Sequence, residues 1–526
     1  MAISAKKLTA FICVLALVLG GSGCGRQVLT GDGSQTAGDS ADGTQSISSA
    51  SDGKFSVYYD KGQSMNPYKT QDMNNQLVCS LVCENMVEVD GSFNVLPKIV
   101  SEWSSENGVD WVLKIAQGHV FSDGSAVSAQ DVAYSLRLAI NSPRYENRFD
   151  GWISAISTKD GSVLVTLNRA NMLFAALLSV PVVKYNSVGE YPIGSGPYAY
   201  ADDRLSLTAN KSYPDAAKLP VDAVYLQTFD SVDDFISKFE DSTVDLVIND
   251  PSAASNIGFG SSNEIRAFNT TNFNYVCINL ESPAFLSGDL QFAFNYAFDR
   301  GYMAKTLMGG DASAASIPIN PSSSLYNTSY DARFAYDLDK CAKYLDNSGI
   351  KDYDGDGMRE YMSNAAVKKI NLSFAVCSDN GAKVGMADKF AQDMKSIGIS
   401  VTVKKYSWSD YKQALTAGSF DLACCEVRLP ADFDPSAIVS AGGKAFYSRV
   451  ADSNVDAYIS AYLAAGADAR QKACNDMCEY IVNTATIIPI CFEKHQAITH
   501  RGAITDMAVN QNDLMCDFAK WKINIK

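Results

Sequence analysis

The stretch Trp103–Leu136, WSSENGVDWVLKIAQGHVFSDGSAVSAQDVAYSL, leaves the chain few conformational choices. Trp111, Leu113 and Ile115 alternate with polar residues, the period of a half-buried strand. Gly118 breaks that period, and Ser122-Asp123-Gly124 supplies a turn, because Asp bonds its own backbone and Gly accepts positive φ. Ser128 followed by Asp131 forms a capping-box pattern. Val132, Leu136, Ala139 and Ile140 then recur at helical spacing, so the helix has one buried face. A strand, a turn and a capped helix follow in order, and none carries a catalytic group.

The same reading extends along the chain. Phe55–Tyr59 is a candidate strand and Met73–Val87 a candidate helix. Thr158–Ser162 reads as a hairpin turn before alternating Val163, Val165 and Leu167. Val221–Phe229, Phe235–Phe239 and Val244–Leu246 read strand, helix, strand, which points to a mixed α/β sheet. At 526 residues the chain exceeds one ordinary core, so two or three lobes are expected. The formal charge is −15, or −17 without residues 1–23, whose only charges are Lys6 and Lys7. Without a basic patch, nucleic acid is not an expected partner. Three separated histidines and no G-x-S-x-G give catalysis little support, so the chain reads as no enzyme and needs no cofactor.

Several motifs occur in a fixed order: Trp103 with W-x-L-K-I at 111–115, G-x-x-F-x-D-G at 118–124, Tyr191-Pro-Ile-Gly-Ser-Gly-Pro-Tyr198, Gln291–Arg300, Asp337–Leu345 and Thr484–Phe492. Together they resemble the oligopeptide/dipeptide-binding proteins of bacterial ABC importers, extracytoplasmic solute-binding protein family 5. The resemblance implies a type II periplasmic-binding-protein-like α/β fold of two lobes with an additional inserted domain. It places a discontinuous first lobe at 54–85, 185–274 and 495–526, an inserted domain at 86–184 and the last lobe at 275–494. Phe273–Asn279 resembles a strand crossing into the last lobe, and two crossing strands would form the hinge.

The implied function is capture of short peptides outside the cell and their delivery to ABC permease subunits by a monomeric receptor. Same-fold alternatives are a nickel chelate, haem or oligosaccharide cargo, or a surface sensor or adhesion protein without transport. Glu426–Pro435, EVRLPADFDP, resembles the family's W-x-A-D-Y-x-D/E-P segment. By that match Asp432 would accept the peptide's α-ammonium, Arg428, Leu429 and Pro430 would lie along its backbone, and Phe433 replaces a Tyr. Leu429 stands where Trp is usual, and Pro430 has no N–H to donate. Thr70, Gln71, Asp72, Met73 and Asn74 occupy the place of the other peptide-contacting segment.

At the amino terminus Lys6-Lys7 precede the apolar run Leu8–Leu19, the length of a signal-peptide core and too short for ~30 Å of hydrocarbon. Gly20–Cys24 resembles a lipobox, with Gly21 where Leu is usual, and implies a diacylated Cys24 at the outer face of the membrane. Ordinary secretion is the alternative. Residues 24–53, rich in Gly, Ser and Asp, read as a flexible tether with a reach of roughly 30 Å. Asp352, Asp354 and Asp356 have the D-x-D-x-D-G spacing of a calcium loop, but its twelfth position is Ser363 rather than Glu, so the reading is a surface turn without metal. The thirteen cysteines include no C-x-x-C pair, and most read as small buried hydrophobes.

Overall fold

The structure, a computed structural model, describes residues 52–149, 151–253, 256, 263–363 and 366–524. Cys24, the signal segment and the tether up to residue 51 lie outside the described residues. Among the described residues an eleven-stranded mixed sheet forms the spine. Its order runs Ser400–Tyr406, Asn371–Cys377, Leu422–Arg428, Asn263–Ile278, Ile487–His500, Leu246–Asn249, Phe55–Tyr58, Ala223–Gln227, Ser206–Ala209, Tyr198–Tyr200, with Ala312–Ala314 also on Ile487–His500.

Two strands in the middle of that order are much longer than the rest, Asn263–Ile278 and Ile487–His500, and they pair antiparallel. Residues 263–269 face 494–500, residues 273–277 face 487–492, and the register shifts between Asn269 and Phe273. Thr270 fills the break, its hydroxyl donating to Glu493 O at 2.7 Å. On one side of the break the buried apolar side chains join a core containing Phe273, Ile278, Phe374, Tyr462 and Ile487; on the other they join one containing Phe55, Leu77, Leu113, Phe174, Phe268 and Ala497. Residues of the 86–184 stretch pack into that second core together with Phe55 and Leu77.

Local chemistry explains most of the elements. Trp111 and Leu113 are buried on one face of the strand Asp110–Ile115. Helix Ala129–Ile140 begins at its capping box, with Ser128 N donating to Asp131 Oδ2 at 2.8 Å. The 158–162 turn joins Ile153–Lys159 to Ser162–Leu167 through Asp160 and Gly161, both at positive φ, as a tight hairpin requires. The helix expected over 73–87 stops at Val82. Beyond it the backbone is claimed by pairing, since Met86 N donates to Val180 O and Val87–Val89 forms a strand. Gly194 and Gly196 press against that helix end: Cβ atoms there would lie 2.0 Å from Val82 O and 2.5 Å from Leu81 O. Arg300, buried after the short helices of 289–296, ties three segments by donating to the carbonyls of Pro489, Asn295 and Phe334. Trp408 is 57% exposed, whereas Tyr411 is buried and bonds Cys424 O.

All eleven cysteines in the described residues are free thiols, ten of them buried, as their reading as small hydrophobes expects. Burial pushes the Cys79 and Cys424 thiols up to about 12, which keeps them protonated and unreactive. No helix among the described residues is long and apolar enough to cross a membrane.

Candidate solute-binding cleft

Alternation along the central strands brings polar side chains onto one face at the register break. Strand Leu422–Arg428 contributes Glu426 and Arg428; across the ladder they pair with Asn274 and Asn272. Asn274 Nδ2 donates to Glu493 Oε1 at 2.7 Å, and Asn272 Nδ2 donates to His495 Nε2 at 3.3 Å. Asp250, just beyond Leu246–Asn249, lies 3.6 Å from His495 Nε2. A polar belt therefore crosses four neighbouring strands of the sheet.

The belt opens onto a cavity of about 640 Å³ lined by Asp250, Asn272, Glu426, Arg428 and His495, and opposite them by Gln71, Asp72, Met73 and Asn74. Tyr58, Phe229, Phe235 and Phe268 add an aromatic wall. The size and the mixture of aromatic wall with few polar groups suit a small-molecule or peptide site. The Gln71–Asn74 segment is held from behind. Asp72 caps helix Met73–Val82 by accepting from Asn75 N at 2.9 Å, and Asn74 clamps the Ile248 backbone, accepting from its N–H at 2.9 Å and donating to its carbonyl at 3.2 Å.

The electrostatics of the belt are uneven. Burial, with the nearby Glu426 charge, raises the Glu493 carboxyl to about 7. Burial lowers His495, which leaves a neutral imidazole. Glu426 is paired with Lys383 Nζ at 2.5 Å. Burial pulls the Lys383 ammonium down, but Glu426 and Glu493 outweigh it and raise it. Arg428 lines the cavity with its side chain exposed, and desolvation within the cleft together with the Arg148 and Arg144 charges lowers it to about 9.

The remaining residues singled out from sequence divide among other places. Leu429 is buried, its N–H donating to Thr271 O at 3.0 Å, and with Arg428 and Pro430 it borders two smaller cavities of about 140 and 370 Å³. Thr70 is buried and borders none of these cavities. Asp432 and Phe433 border a separate cavity of about 350 Å³. The Asp432 carboxylate, 2% exposed, accepts from Asn171 Nδ2 at 2.9 Å and from Asp434 N at 3.2 Å, and its carbonyl accepts from Tyr462 OH at 2.6 Å. Burial and the Asp434 charge push that carboxyl up to about 7. Phe433 holds a left-handed φ of 56° and packs edge-on to Phe93 and Phe492.

Sequence reading did not single out Asp250, Asn272, Asn274 or Glu493 and left His495 unassigned. The signal was present as polar residues two apart in the two long strands, Asn272/Asn274 and Glu493/His495. In the 352–357 turn, Asp352 accepts from the N–H groups of Gly355, Asp356 and Gly357, and Lys369 pairs with Asp356 and, at 3.6 Å, with Asp354. Buried Glu360 joins these carboxylates, a neighbour the sequence pattern did not anticipate.

The profile of the bacterial extracellular solute-binding proteins, family 5, middle portion, matches residues 94–466, well over half of the chain. The chain belongs to that family. Among curated relatives, this family 5 protein is 21% identical over 378 residues to heme-binding protein A of Haemophilus influenzae, spanning 63% of this chain and 66%, just under two thirds, of that protein. It is 22% identical over 381 residues to the oligopeptide-binding protein AppA of Bacillus subtilis, with 67% and 69% covered. The structure of that AppA in complex with a nonapeptide superposes with a TM-score of 0.61 at 18% identity, covering 89% of this chain and 98% of AppA. The ABC transporter substrate-binding protein CtaP of Listeria monocytogenes gives 0.71 at 18% identity, covering 90% and 99%. The fold is thus that of the family 5 proteins, a mixed α/β body of two lobes with an inserted domain.

Proposed function

We propose that this protein captures short peptides in the cleft at the two crossing strands and hands them to the permease of an ABC importer. The observation that carries the reading is the 640 Å³ cavity, in which Gln71–Asn74 from one core faces Glu426 and Arg428 from the other. A ligand touching both sides would favour the closed arrangement of the bodies at 54–85, 86–184, 185–274 and 495–526 against that at 275–494, with the register break as hinge. Two of the relatives support a peptide, one binding oligopeptides and one glutathione, whereas the relative from Haemophilus influenzae binds heme. A diacylated Cys24 and the tether of 24–53 would hold the receptor at the outer membrane face within reach of its permease.

A metal chelate is the second reading, favoured by the ligand atoms of Asp250, Glu493 and His495, which all lie within 4.8 Å of one another. Native purification followed by mass spectrometry of the released ligand tests both. A peptide is the expected result; a metallophore, haem or sugar in its place refutes it.

A further inference from the structure

The two crossing strands do not pair evenly. Between the pairs Asn269/Lys494 and Phe273/Phe492, one strand has Thr270, Thr271 and Asn272 where the other has only Glu493. A bulge of this kind leaves backbone groups without ladder partners, and they must find others. Side chains from two distant segments supply them. Asn320 Nδ2 donates to Thr270 O at 2.8 Å, and Gln511 Oε1 accepts from Thr271 N at 2.8 Å. Thr271 O accepts from Leu429 N at 3.0 Å. Thr271 is therefore pinned from both cores, its N–H by the C-terminal tail and its carbonyl by the segment after strand Leu422–Arg428.

The tail that carries Gln511 is itself fixed. Leu514, Met515, Phe518 and Trp521 are buried in the core that holds Phe55 and Leu77. Asp513 pairs with Lys98 Nζ at 2.9 Å, and Asn85 Nδ2 donates to Asn512 O at 2.9 Å. The N–H groups of Asn512 and Asp513 both donate to Asn510 Oδ1 at 2.9 Å, which sets the turn on which Gln511 stands. Gln511 is only half-buried, and it borders both the 640 Å³ and the 140 Å³ cavity. Its Nε2 donates to Asn272 Oδ1 at 3.5 Å, and Asn272 lines the larger cavity. One carboxamide thus holds the hinge backbone with its oxygen and the cleft wall with its nitrogen.

We propose that Gln511 is a positioning residue: it takes the place of the missing ladder partner at the register break and couples filling of the cleft to the stiffness of the hinge. This rests on the reading of the cleft and its hinge above. Solvent supplies the coupling. In a water-filled cleft, water competes for the Gln511 carboxamide. A solute that displaces this water shields the bonds to Thr271 and Asn272, and a shielded hydrogen bond is electrostatically stronger. The bulge is then held more firmly from both cores, and the arrangement of the two bodies is held with it. Gln511 acts through Thr271, so a substitution that keeps the acceptor keeps the brace.

Hydrogen–deuterium exchange of the purified protein, read by mass spectrometry on fragments covering 269–273, tests this. Gln511→Met keeps the side-chain volume and removes both bonds, so exchange at Thr271 rises about 5-fold, the worth of one neutral hydrogen bond. Fragments from the distant strand Ser400–Tyr406 are unchanged. Gln511→Glu retains the acceptor and restores the protection at Thr271. Trialanine, the probe for the cleft, slows exchange at 269–273 in the unaltered protein and not in Gln511→Met. If the 269–273 exchange of Gln511→Met matches that of the unaltered protein, the brace is overturned. A lowered Tm with faster exchange across both cores also overturns it, since Gln511 then has a general structural role. Equal slowing by trialanine in both proteins overturns the coupling. If trialanine does not bind, the peptide reading falls, while the comparison without it still decides the brace.

Discussion

Asp432 offers a test of how the two cores are joined. Its carboxyl is held at the Asn171–Asp434 contact, and burial with the neighbouring Asp434 charge lifts it from its ordinary 3.8 to about 7. An acid raised on folding stays protonated in the folded chain at pH values where the unfolded chain has already lost the proton. Its contribution to stability is therefore fully present below about pH 4 and is lost as pH climbs to about 7. Three pH units at about 1.36 kcal/mol each give a loss of at most about 4 kcal/mol. In Asp432→Asn the amide is neutral at every pH and its oxygen can still accept from Asn171, so this term disappears. Urea denaturation of both proteins at intervals between pH 4.5 and 8, followed by tryptophan fluorescence, should show the stability difference moving in the variant's favour by up to about one proton's slope as pH rises. The other raised carboxyls, Asp72, Asp245 and Glu493, titrate in both proteins and cancel in the difference. Parallel stability curves for the two proteins would refute the reasoning.

Other perturbations have equally specific outcomes. Gly194→Ala places a methyl 2.0 Å from Val82 O, and the overpacking should cost about 3 kcal/mol or more, read as a lowered Tm. Asn74→Ala removes both bonds to the Ile248 backbone and leaves that N–H and carbonyl unsatisfied, a cost of about 1–3 kcal/mol in chemical denaturation, together with weaker ligand binding through the released 71–74 segment. Millimolar calcium should leave Tm unchanged, because the Lys369 ammonium already sits against Asp354 and Asp356 as a counter-charge; Lys369→Ala is the variant in which a calcium response would emerge.

Short-range chemistry accounts for what could be read from the chain alone. The capping box at Ser128, the Asp160-Gly161 hairpin and the alternation of Trp111 and Leu113 each depend on residues within a few positions, so sequence spacing predicts them directly. Gly194 and Gly196 were legible only as part of an ordered motif, and what presses on them, the Leu81 and Val82 carbonyls, came from the structure. Motif order carried the family, and with it the two lobes and the crossing strands. The helix end at Val82 was not legible, because the pairing that stops it comes from Val180, a hundred residues away. The site shows the same division. Gln71–Asn74 and Arg428, named from local resemblance, meet in one cavity, whereas Asp432 and Phe433, named by the same resemblance, border another. Asp250, Asn272, Glu426 and His495 come from four separated segments, and only the pairing order of the strands makes them neighbours. Sequence by itself determined the alternation that turns polar side chains to one face of each strand. Which face closes on a cavity, and which charges meet across it, was decided by the tertiary structure, because burial and charge pairing depend on neighbours that the linear chain does not specify.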